Sequence, residues 1–227
     1  TMTHTLTLRT IEPVTPDTHM LSFDRPRDFT FTPGQAVDLA LDRDGWREET
    51  RPFTPVSLPG EDALRFVIKS YPDHDGVTKR IGRMEPGARV EIGDPWGAIH
   101  DEGPGYFIAG GAGITPFIAV LRDRLASQGT LEGCTLIFSN ATEEDIILRE
   151  RFEAMEGLRT VFTVTDQSDP SAGIETRRID RAFLADHVDP AGGRAYICGP
   201  EPMIADVRAA LRALGFDEDR IVTEDLD

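Results

Sequence analysis

The sequence predicts an antiparallel β-barrel followed by an α/β unit with a doubly wound parallel sheet. Two observations lead to this prediction. Before the segment HDEGPG (100–105), short β-rich runs alternate with turn residues, and after it buried-type strands alternate with helical segments. Because domain boundaries fall in such Gly- and Pro-containing segments, we place a barrel domain at 1–102 and an α/β domain at 103–227.

The barrel is predicted from short β-rich runs that are separated by turn signals such as Pro33-Gly34 and Pro86-Gly87. The runs are HTLTLRTIE (4–12), HMLSFD (19–24), QAVDLAL (35–41), LRFVIKS (64–70) and RVEIGD (89–94). Many short strands with regular turns are typical of a small barrel or sandwich. The segment 76–84 has helical spacing and is predicted to cap the barrel.

The second half alternates strand and helix. Predicted strands cover 106–110, 134–140, 159–165, 194–199 and 220–226, and predicted helices cover 115–128, 145–156, 175–188 and 201–215. The first strand, YFIAG, is a continuous apolar run, as expected for a strand that is buried on both faces. This alternation predicts a parallel sheet with helices on both sides.

Composition excludes several classes of partner. The chain has 227 residues and a net charge of −16, so binding to nucleic acid or to an anionic membrane is unfavourable. No apolar run approaches the roughly 20 residues of a membrane helix, and no secretory leader opens the chain, so we expect a cytoplasmic monomer.

The two cysteines and five scattered histidines match no metal-ligand spacing, and we expect no bound metal.

The string TRPFTPVS (50–57) combines a cation, an aromatic ring and a hydroxyl with two prolines in a strand-like stretch. One interpretation is a binding strand: Arg51 holds a pyrophosphate, Phe53 packs on a flat cofactor and Thr54 bonds a ring heteroatom. The other is an edge strand with an exposed arginine and a core phenylalanine, since edges tolerate proline. The string alone favours the edge strand, and the binding strand stays open as the alternative.

The turn GGAGITP (110–116) joins the first buried strand to the first helix. Gly111 and Gly113 permit a close backbone approach, while Thr115 and Pro116 suit a helix start whose free N–H groups attract a pyrophosphate. An ordinary strand-to-helix turn is the alternative, because Pro116 replaces the last glycine of the usual dinucleotide fingerprint. Ligands of such sheets lie beyond the strand ends, which here are formed by Ser139, Asn140, Asp166, Cys198, Gly199 and Pro200.

The nucleotide preference is predicted from the residues that follow the second strand of the α/β unit. No arginine comes directly after Asn140, and TEED (142–145) is acidic, which favours NADH over NADPH. Arg149 and Arg151 could reverse this preference by folding back towards the nucleotide, and the acidic run is equally typical of a solvated helix start.

The order of the motifs RPFT (51–54), VIKSY (67–71), GVTKRI (76–81), GGAGITP (110–116), CGPEPM (198–203) and TEDL (223–226) resembles the ferredoxin–NADP⁺ reductase superfamily over nearly the whole chain. The resemblance implies FAD in the first domain and NAD(P)H in the second. It implies FAD contacts at Arg51, Pro52, Phe53, Thr54, Val67, Ile68, Lys69, Gly76, Val77 and Thr78. It implies nucleotide contacts at Gly111, Gly113, Ile114, Thr115, Pro116, Cys198, Gly199 and Pro200. Thr54, Cys198 and Glu224 are then the expected catalytic residues.

The sequence departs from this family at two places. Phe53 stands where many members carry tyrosine, and Leu226 and Asp227 end the chain where many members have an aromatic residue near the flavin. The resemblance implies an FAD-dependent oxidoreductase that takes hydride from NAD(P)H and passes electrons to a ferredoxin, a flavodoxin or an oxygenase component. A separate acceptor is expected because the chain shows neither a cluster domain nor a haem domain. The alternatives are a reductase of diffusible flavin and a non-catalytic electron-transfer or regulatory subunit.

Overall fold

Six antiparallel strands form a nearly closed barrel in the first half of the chain. The computed structural model describes residues 1–97 and 99–224. The strands are β1 (Met2–Thr15), β2 (Thr18–Asp24), β3 (Val37–Leu41), β4 (Arg51–Phe53), β5 (Ala63–Lys69) and β6 (Arg89–Gly93). Their order is β4-β3-β6-β1-β2-β5, and the N–H of Val56 bridges the remaining gap to the carbonyl of Arg65 at 2.8 Å. The predicted antiparallel barrel is confirmed.

Side chains on the two faces of strand β2 pack in different cores. Successive side chains of a strand point to opposite faces. Leu21 and Phe23 are buried in the barrel core, whereas Met20 and the neighbouring Val67 of β5 belong to a core cluster shared with the α/β unit. The barrel wall formed by β2 and β5 is therefore also an interface, and burial of its apolar side chains fixes the two units against each other.

Helix α1 (Val77–Ile81) is shorter than the predicted 76–84. It ends at Gly82, where a Cβ atom would lie 2.9 Å from the Ser70 hydroxyl oxygen just beyond β5. Val77 and Ile81 point into the barrel core. Helical spacing therefore predicted the element correctly but not its end, and the contact with Ser70 favours glycine at position 82.

Five parallel strands form the second sheet: β7 (Gly105–Gly110), β8 (Thr135–Asn140), β9 (Arg159–Val164), β10 (Arg194–Cys198) and β11 (Ile221–Thr223). Helices α2 (Thr115–Gln128), α3 (Arg149–Glu153), α4 (Arg181–His187) and α5 (Glu201–Ala213) connect them. The order β11-β10-β7-β8-β9 reverses direction at β7, so the predicted doubly wound parallel sheet is confirmed. The end of the predicted last strand, residues 225–226, lies outside the described residues.

Two predicted helices were too long. A 3₁₀ turn (Glu143–Asp145) capped by Thr142 ends at the first residue of the predicted helix 145–156, and α3 starts only at Arg149. In the predicted helix 175–188, Glu175 instead lies along β9, since its N–H and C=O bond to Phe162 and Val164. Helix α4 begins after Asp180, whose carboxylate accepts the Phe183 N–H at 2.8 Å. Pairing with a sheet edge therefore overrode the helical pattern before Asp180.

One ion pair joins the two units away from the strand ends. Arg122 of α2 contacts both carboxylate oxygens of Glu61, at 2.8 and 3.2 Å, and donates to the Val56 carbonyl at 2.7 Å. Burial alone would raise the pKa of Glu61, but hydrogen bonds from Arg122 and the Leu58 N–H outweigh it and lower that pKa. The pair therefore stabilises the contact above the carboxyl's usual pKa of about 4.3 and is lost as the pH falls through the lowered value.

Candidate active site

A cavity of about 210 Å³ lies where the barrel meets the glycine turn of the α/β unit. The barrel side supplies Thr54 and an apolar wall, and the other side supplies Gly113 and the start of α2. Its lining contains predicted cofactor or catalytic contacts from both units: Pro52, Phe53, Thr54, Val67, Ile68, Lys69, Thr78, Gly113, Thr115, Pro116 and Glu224. Motifs that are far apart in the sequence therefore share one cleft.

The string at 50–57 combines features of both interpretations. β4 is an edge strand, and Arg51 has 47% of its side chain exposed, lies 3.7 Å from Glu49 and does not line the cavity. Phe53 is half-buried and packs against the barrel core while also lining the cavity. Thr54 is only 6% exposed and lines the cavity too. The structure thus brings Phe53 and Thr54 to the cleft, and the pyrophosphate contact of Arg51 remains a prediction.

The predicted phosphate site at α1 is only partly assembled. Thr78 lines the cavity, whereas the Val77 side chain is buried in the barrel core and can offer only its backbone. Gly76 has an ordinary φ of −125°, and a Cβ atom at this position would meet only open space, so no close approach requires glycine there. Contact of all three residues with a phosphate remains a prediction.

A second cavity of about 580 Å³ opens beyond the carboxyl ends of the parallel strands. It shares Lys69, Tyr71, Ala112, Gly113 and Glu224 with the first cavity, so the two spaces adjoin. Predicted nucleotide contacts in its lining are Gly111, Gly113, Ser139, Asn140, Gly199 and Pro200. Two predicted contacts are absent from this lining. Ile114 is buried in the core. Asp166 is exposed, and its N–H donates to the carbonyl of Ala141, which does line the cavity, at 2.8 Å.

The glycine turn and the C-G-P turn pack directly against each other. A Cβ atom on Gly113 would lie 2.7 Å from the carbonyl of Cys198 and from the N–H nitrogen of Gly199. Side chains other than hydrogen therefore do not fit at residue 113 without a shift of backbone. Because β7 and β10 are the neighbours at which the strand order reverses, this packing forms the floor of the crevice where such sheets bind ligands.

Cys198 and Glu224 form a buried polar pair at this point. Cys198 is 1% exposed, and its thiol donates to Glu224 Oε1 at 3.7 Å. Burial first, and the Glu224 charge second, raise the pKa of Cys198 well above its usual value. Burial also raises the pKa of Glu224, and the hydrogen bond from Cys198 offsets this in part. The thiol therefore stays protonated at neutral pH, and its partner Glu224 lines both cavities.

The two cavities fit flat, phosphate-bearing cofactors. Two buried nitrogens on their walls, Trp96 Nε1 and Asn140 Nδ2, have no hydrogen-bond partner within the described protein, and a bound ligand could supply one. The first cavity offers apolar faces at Phe53, Val67 and Ile68 with the Thr54 hydroxyl among them. The second offers the open glycine backbone at the end of β7.

Two residues that sequence reasoning missed stand out at the junction. Tyr71 is 46% exposed, lines both cavities and lies 5.4 Å from the Lys69 ammonium group. Met203 lines the second cavity, and its sulfur lies where a Cβ atom on Gly110 or Gly199 would come within 3.0 Å of it. Both residues end motifs that carry the family resemblance, VIKSY (67–71) and CGPEPM (198–203), and this was a usable signal for each.

The arginines considered for a nucleotide phosphate lie elsewhere. Arg149 pairs with Glu143 at 3.1 Å and Glu153 at 3.0 Å. Arg151 lines a separate cavity between the barrel and the α/β unit, together with Met20 and Ile118. Neither arginine lines the cavity beyond the strand ends.

Within the described residues, no helix is both long and apolar enough to cross a membrane. Among the same residues, no three His, Cys, Asp or Glu side chains form a group that could hold a metal ion. Leu226 and Asp227, the predicted replacements for a terminal aromatic residue, lie outside the described residues.

Comparison with known proteins gives concordant results. An oxidoreductase FAD-binding domain model matches residues 5–100, and an oxidoreductase NAD-binding domain model matches residues 107–209. NADH-cytochrome b5 reductase 1 of Pyricularia oryzae is 30% identical over 212 residues, which span 84% of this chain and 67% of that protein. These matches show that the chain has the FAD- and NAD-binding parts in the order predicted.

Solved structures show the same fold. A ferredoxin NADP⁺ reductase from Neisseria gonorrhoeae with bound FAD and NADP superposes with a TM-score of 0.85, at 22% identity and 97% coverage of both chains. The CS-b5R domains of human Ncb5or, in the NAD⁺ form, give a TM-score of 0.84 at 26% identity, covering 97% of this chain and 68% of that one.

Proposed function

Because the chain belongs to the ferredoxin–NADP⁺ reductase superfamily and is an NAD(P)H-dependent flavoprotein oxidoreductase, we propose that it oxidises NADH at FAD and reduces a separate one-electron redox protein. The observation that carries this proposal is the pair of adjoining cavities with Cys198 and Glu224 at their junction. The candidate acceptors are a ferredoxin, a flavodoxin, an oxygenase component and, from the names of the relatives, a cytochrome b5.

The residues that line the two cavities have different roles. The bound cofactors supply the redox chemistry, which is hydride transfer from nicotinamide C4 to flavin N5. Thr54 orients the flavin edge through its buried hydroxyl, and Val67, Ile68 and Phe53 exclude water from its faces. Gly113 lets the nicotinamide nucleotide approach the backbone. Glu224 shapes the slot between the two cofactors, and the buried Cys198 thiol, which lines neither cavity, holds Glu224 through the hydrogen bond of 3.7 Å.

An absorbance spectrum followed by anaerobic titration tests this function. We expect purified protein to be yellow with FAD, to bleach with one equivalent of NADH, and to reoxidise on addition of one of the candidate acceptor proteins. Flavin lost on gel filtration, with free flavin reduced in turnover, would instead indicate a flavin reductase. Retained flavin that neither NADH nor NADPH bleaches would indicate a non-catalytic subunit and would overturn the proposal.

We further propose that the acceptor docks on the basic face of α1. A cavity of about 650 Å³ beside this helix is lined by the cations Arg43, Lys79, Arg80, Arg83 and Arg89. Arg80 pairs with Asp75 at 2.9 Å and Arg89 with Asp42 at 3.0 Å, so these two are partly neutralised. Arg43, Lys79 and Arg83 have no ion pair within 4 Å among the described residues. In a chain of net charge −16, this face offers a local attraction for an acidic acceptor.

The variant Arg83→Glu is expected to slow electron transfer to an acidic acceptor about 10-fold at low salt, because steering depends on local charge. The difference from wild type should shrink as ionic strength rises. Stopped-flow acceptor reduction over a salt series measures both effects. Flavin reduction by NADH serves as the internal reference, and Arg181→Glu, at an exposed position of α4 with no ion pair among the described residues, is the matched charge reversal. Equal slowing by both variants would assign the effect to net charge and refute the docking face.

A further inference from the structure

We propose that the ion pair between Arg178 and Asp206 sets the preference between NADH and NADPH, an inference that rests on the proposed oxidation of a nicotinamide nucleotide. A third cavity of about 280 Å³ lies at the carboxyl ends of β8 and β9, and it is lined by Ser139, Thr165, Arg178, Ile179, Met203 and Asp206. Ser139 and Met203 also line the nucleotide cavity, so the two spaces adjoin.

Position in the sheet indicates what this third cavity receives. Ligands of open parallel sheets lie beyond the carboxyl ends of the strands, with the glycine turn at the pyrophosphate. The glycine turn follows β7, and β8 and β9 lie successively further from the switch point. The space beyond β8 and β9 is therefore on the adenosine side of the nucleotide, where NADH carries a ribose 2′-hydroxyl and NADPH carries a 2′-phosphate.

Arg178 is the cation available to that position. Among the described residues that line the nucleotide cavity and the third cavity, the basic ones are Lys69, on the barrel side, and Arg178. A guanidinium group binds a phosphate through two parallel hydrogen bonds, so Arg178 would favour NADPH if it were free.

The carboxylate of Asp206, on α5, is the ion-pair partner of Arg178. Asp206 Oδ2 accepts a hydrogen bond from Arg178 Nη2 at 2.9 Å, and the side chains are 73% exposed for Arg178 and 60% for Asp206. The pair neutralises the arginine, and the carboxylate would also repel a doubly charged 2′-phosphate. An exposed pair of this kind contributes little to folding, so removal of the carboxylate should change recognition without unfolding the protein.

The variant Asp206→Asn tests the role of this pair through binding rather than turnover. Calorimetric titration of the FAD-loaded full chain with 2′,5′-ADP and with 5′-ADP gives the ratio of their dissociation constants. We expect Asp206→Asn to shift this ratio about 5- to 10-fold towards 2′,5′-ADP, the size expected for the loss of one partly solvated like charge. Adding Arg178→Leu to that variant should return the ratio to, or below, the wild-type value.

Asp186→Asn is the matched control, because Asp186 pairs with Arg177 at 2.9 Å, is 61% exposed and lines none of these cavities. Its ratio should equal that of wild type. An equal shift in both variants, or no shift in Asp206→Asn, would overturn the inference even if NADH bleaches the flavin. If neither nucleotide binds and NADH does not bleach the flavin, the inference and the proposed function both fail.

Discussion

Replacement of Gly113 by alanine should lower the rate of flavin reduction by NADH about 100-fold while FAD stays bound. The new Cβ atom would lie 2.7 Å from the backbone of Cys198 and Gly199, and neither turn can yield by rotating a side chain. The glycine turn and the C-G-P turn must therefore move apart, and displacements of about 1 Å at a reacting centre cost rates of this order. Anaerobic stopped-flow measurement of flavin bleaching gives the rate, and the flavin-to-protein absorbance ratio gives the FAD content.

The control for this variant is Gly60→Ala. Gly60 lies in a turn of the barrel, has no positive φ, and would have no atom within 4 Å of an added Cβ. Its flavin reduction should match that of wild type. A wild-type rate in Gly113→Ala would show that the two turns accept the added methyl group and would contradict this prediction. Loss of FAD would contradict it too, because the first cavity would then depend on this turn.

Substitution of Thr54 by alanine should slow hydride transfer about 10- to 100-fold without releasing FAD. The threonine is 6% exposed on the cavity wall, and loss of a buried hydrogen bond to a reacting group costs about 1.5 to 3 kcal/mol. Thr54→Ser keeps the hydroxyl and should recover most of the rate. Primary isotope effects with NADH deuterated at C4 would show whether the slowed step is the chemical one.

Thr18→Ala provides the comparison at a buried threonine outside the cavities. Thr18 is 1% exposed and donates to Asp17 at 3.3 Å, so its loss should affect stability rather than flavin reduction. A wild-type bleaching rate in Thr54→Ala would remove this residue from the mechanism. Equal slowing in Thr54→Ala and Thr54→Ser would assign the effect to packing of the methyl group and not to the hydroxyl.

Much of the architecture could be predicted because it depends on local patterns. Alternation along β2 and the continuous apolar run of β7 predicted an antiparallel barrel and a parallel sheet, and the FAD- and NAD-binding matches agree with the resemblance. The failures come from tertiary contacts. Pairing of Glu175 with the edge of β9 prevented a helix whose pattern was adequate.

The site was predictable at the level of motifs but not of individual side chains. Thr54, Gly113 and Glu224 meet in one cleft, as the motif order implied, yet the Arg51 side chain lies outside the cavity that they line. Arg178 could not be identified from its position in the connection between β9 and α4, because only the folded chain brings it beside Ser139. Proximity of this kind depends on the path of a connection, which sequence periodicity does not encode.

The Tyr196 hydroxyl forms hydrogen bonds to Glu102 and Gly103, in the segment that connects the two sheets. It accepts the N–H of Glu102 at 2.9 Å and donates to the carbonyl of Gly103 at 2.6 Å, and burial raises the pKa of Tyr196 to about 12. Arg194 adds a bond to the Glu102 carbonyl at 2.8 Å. We therefore expect slow cleavage after Glu102 by a glutamate-specific protease, because hydrogen bonds hold the backbone at this position. Bending of the backbone at Glu102 or Gly103 would require these bonds to the α/β unit to break.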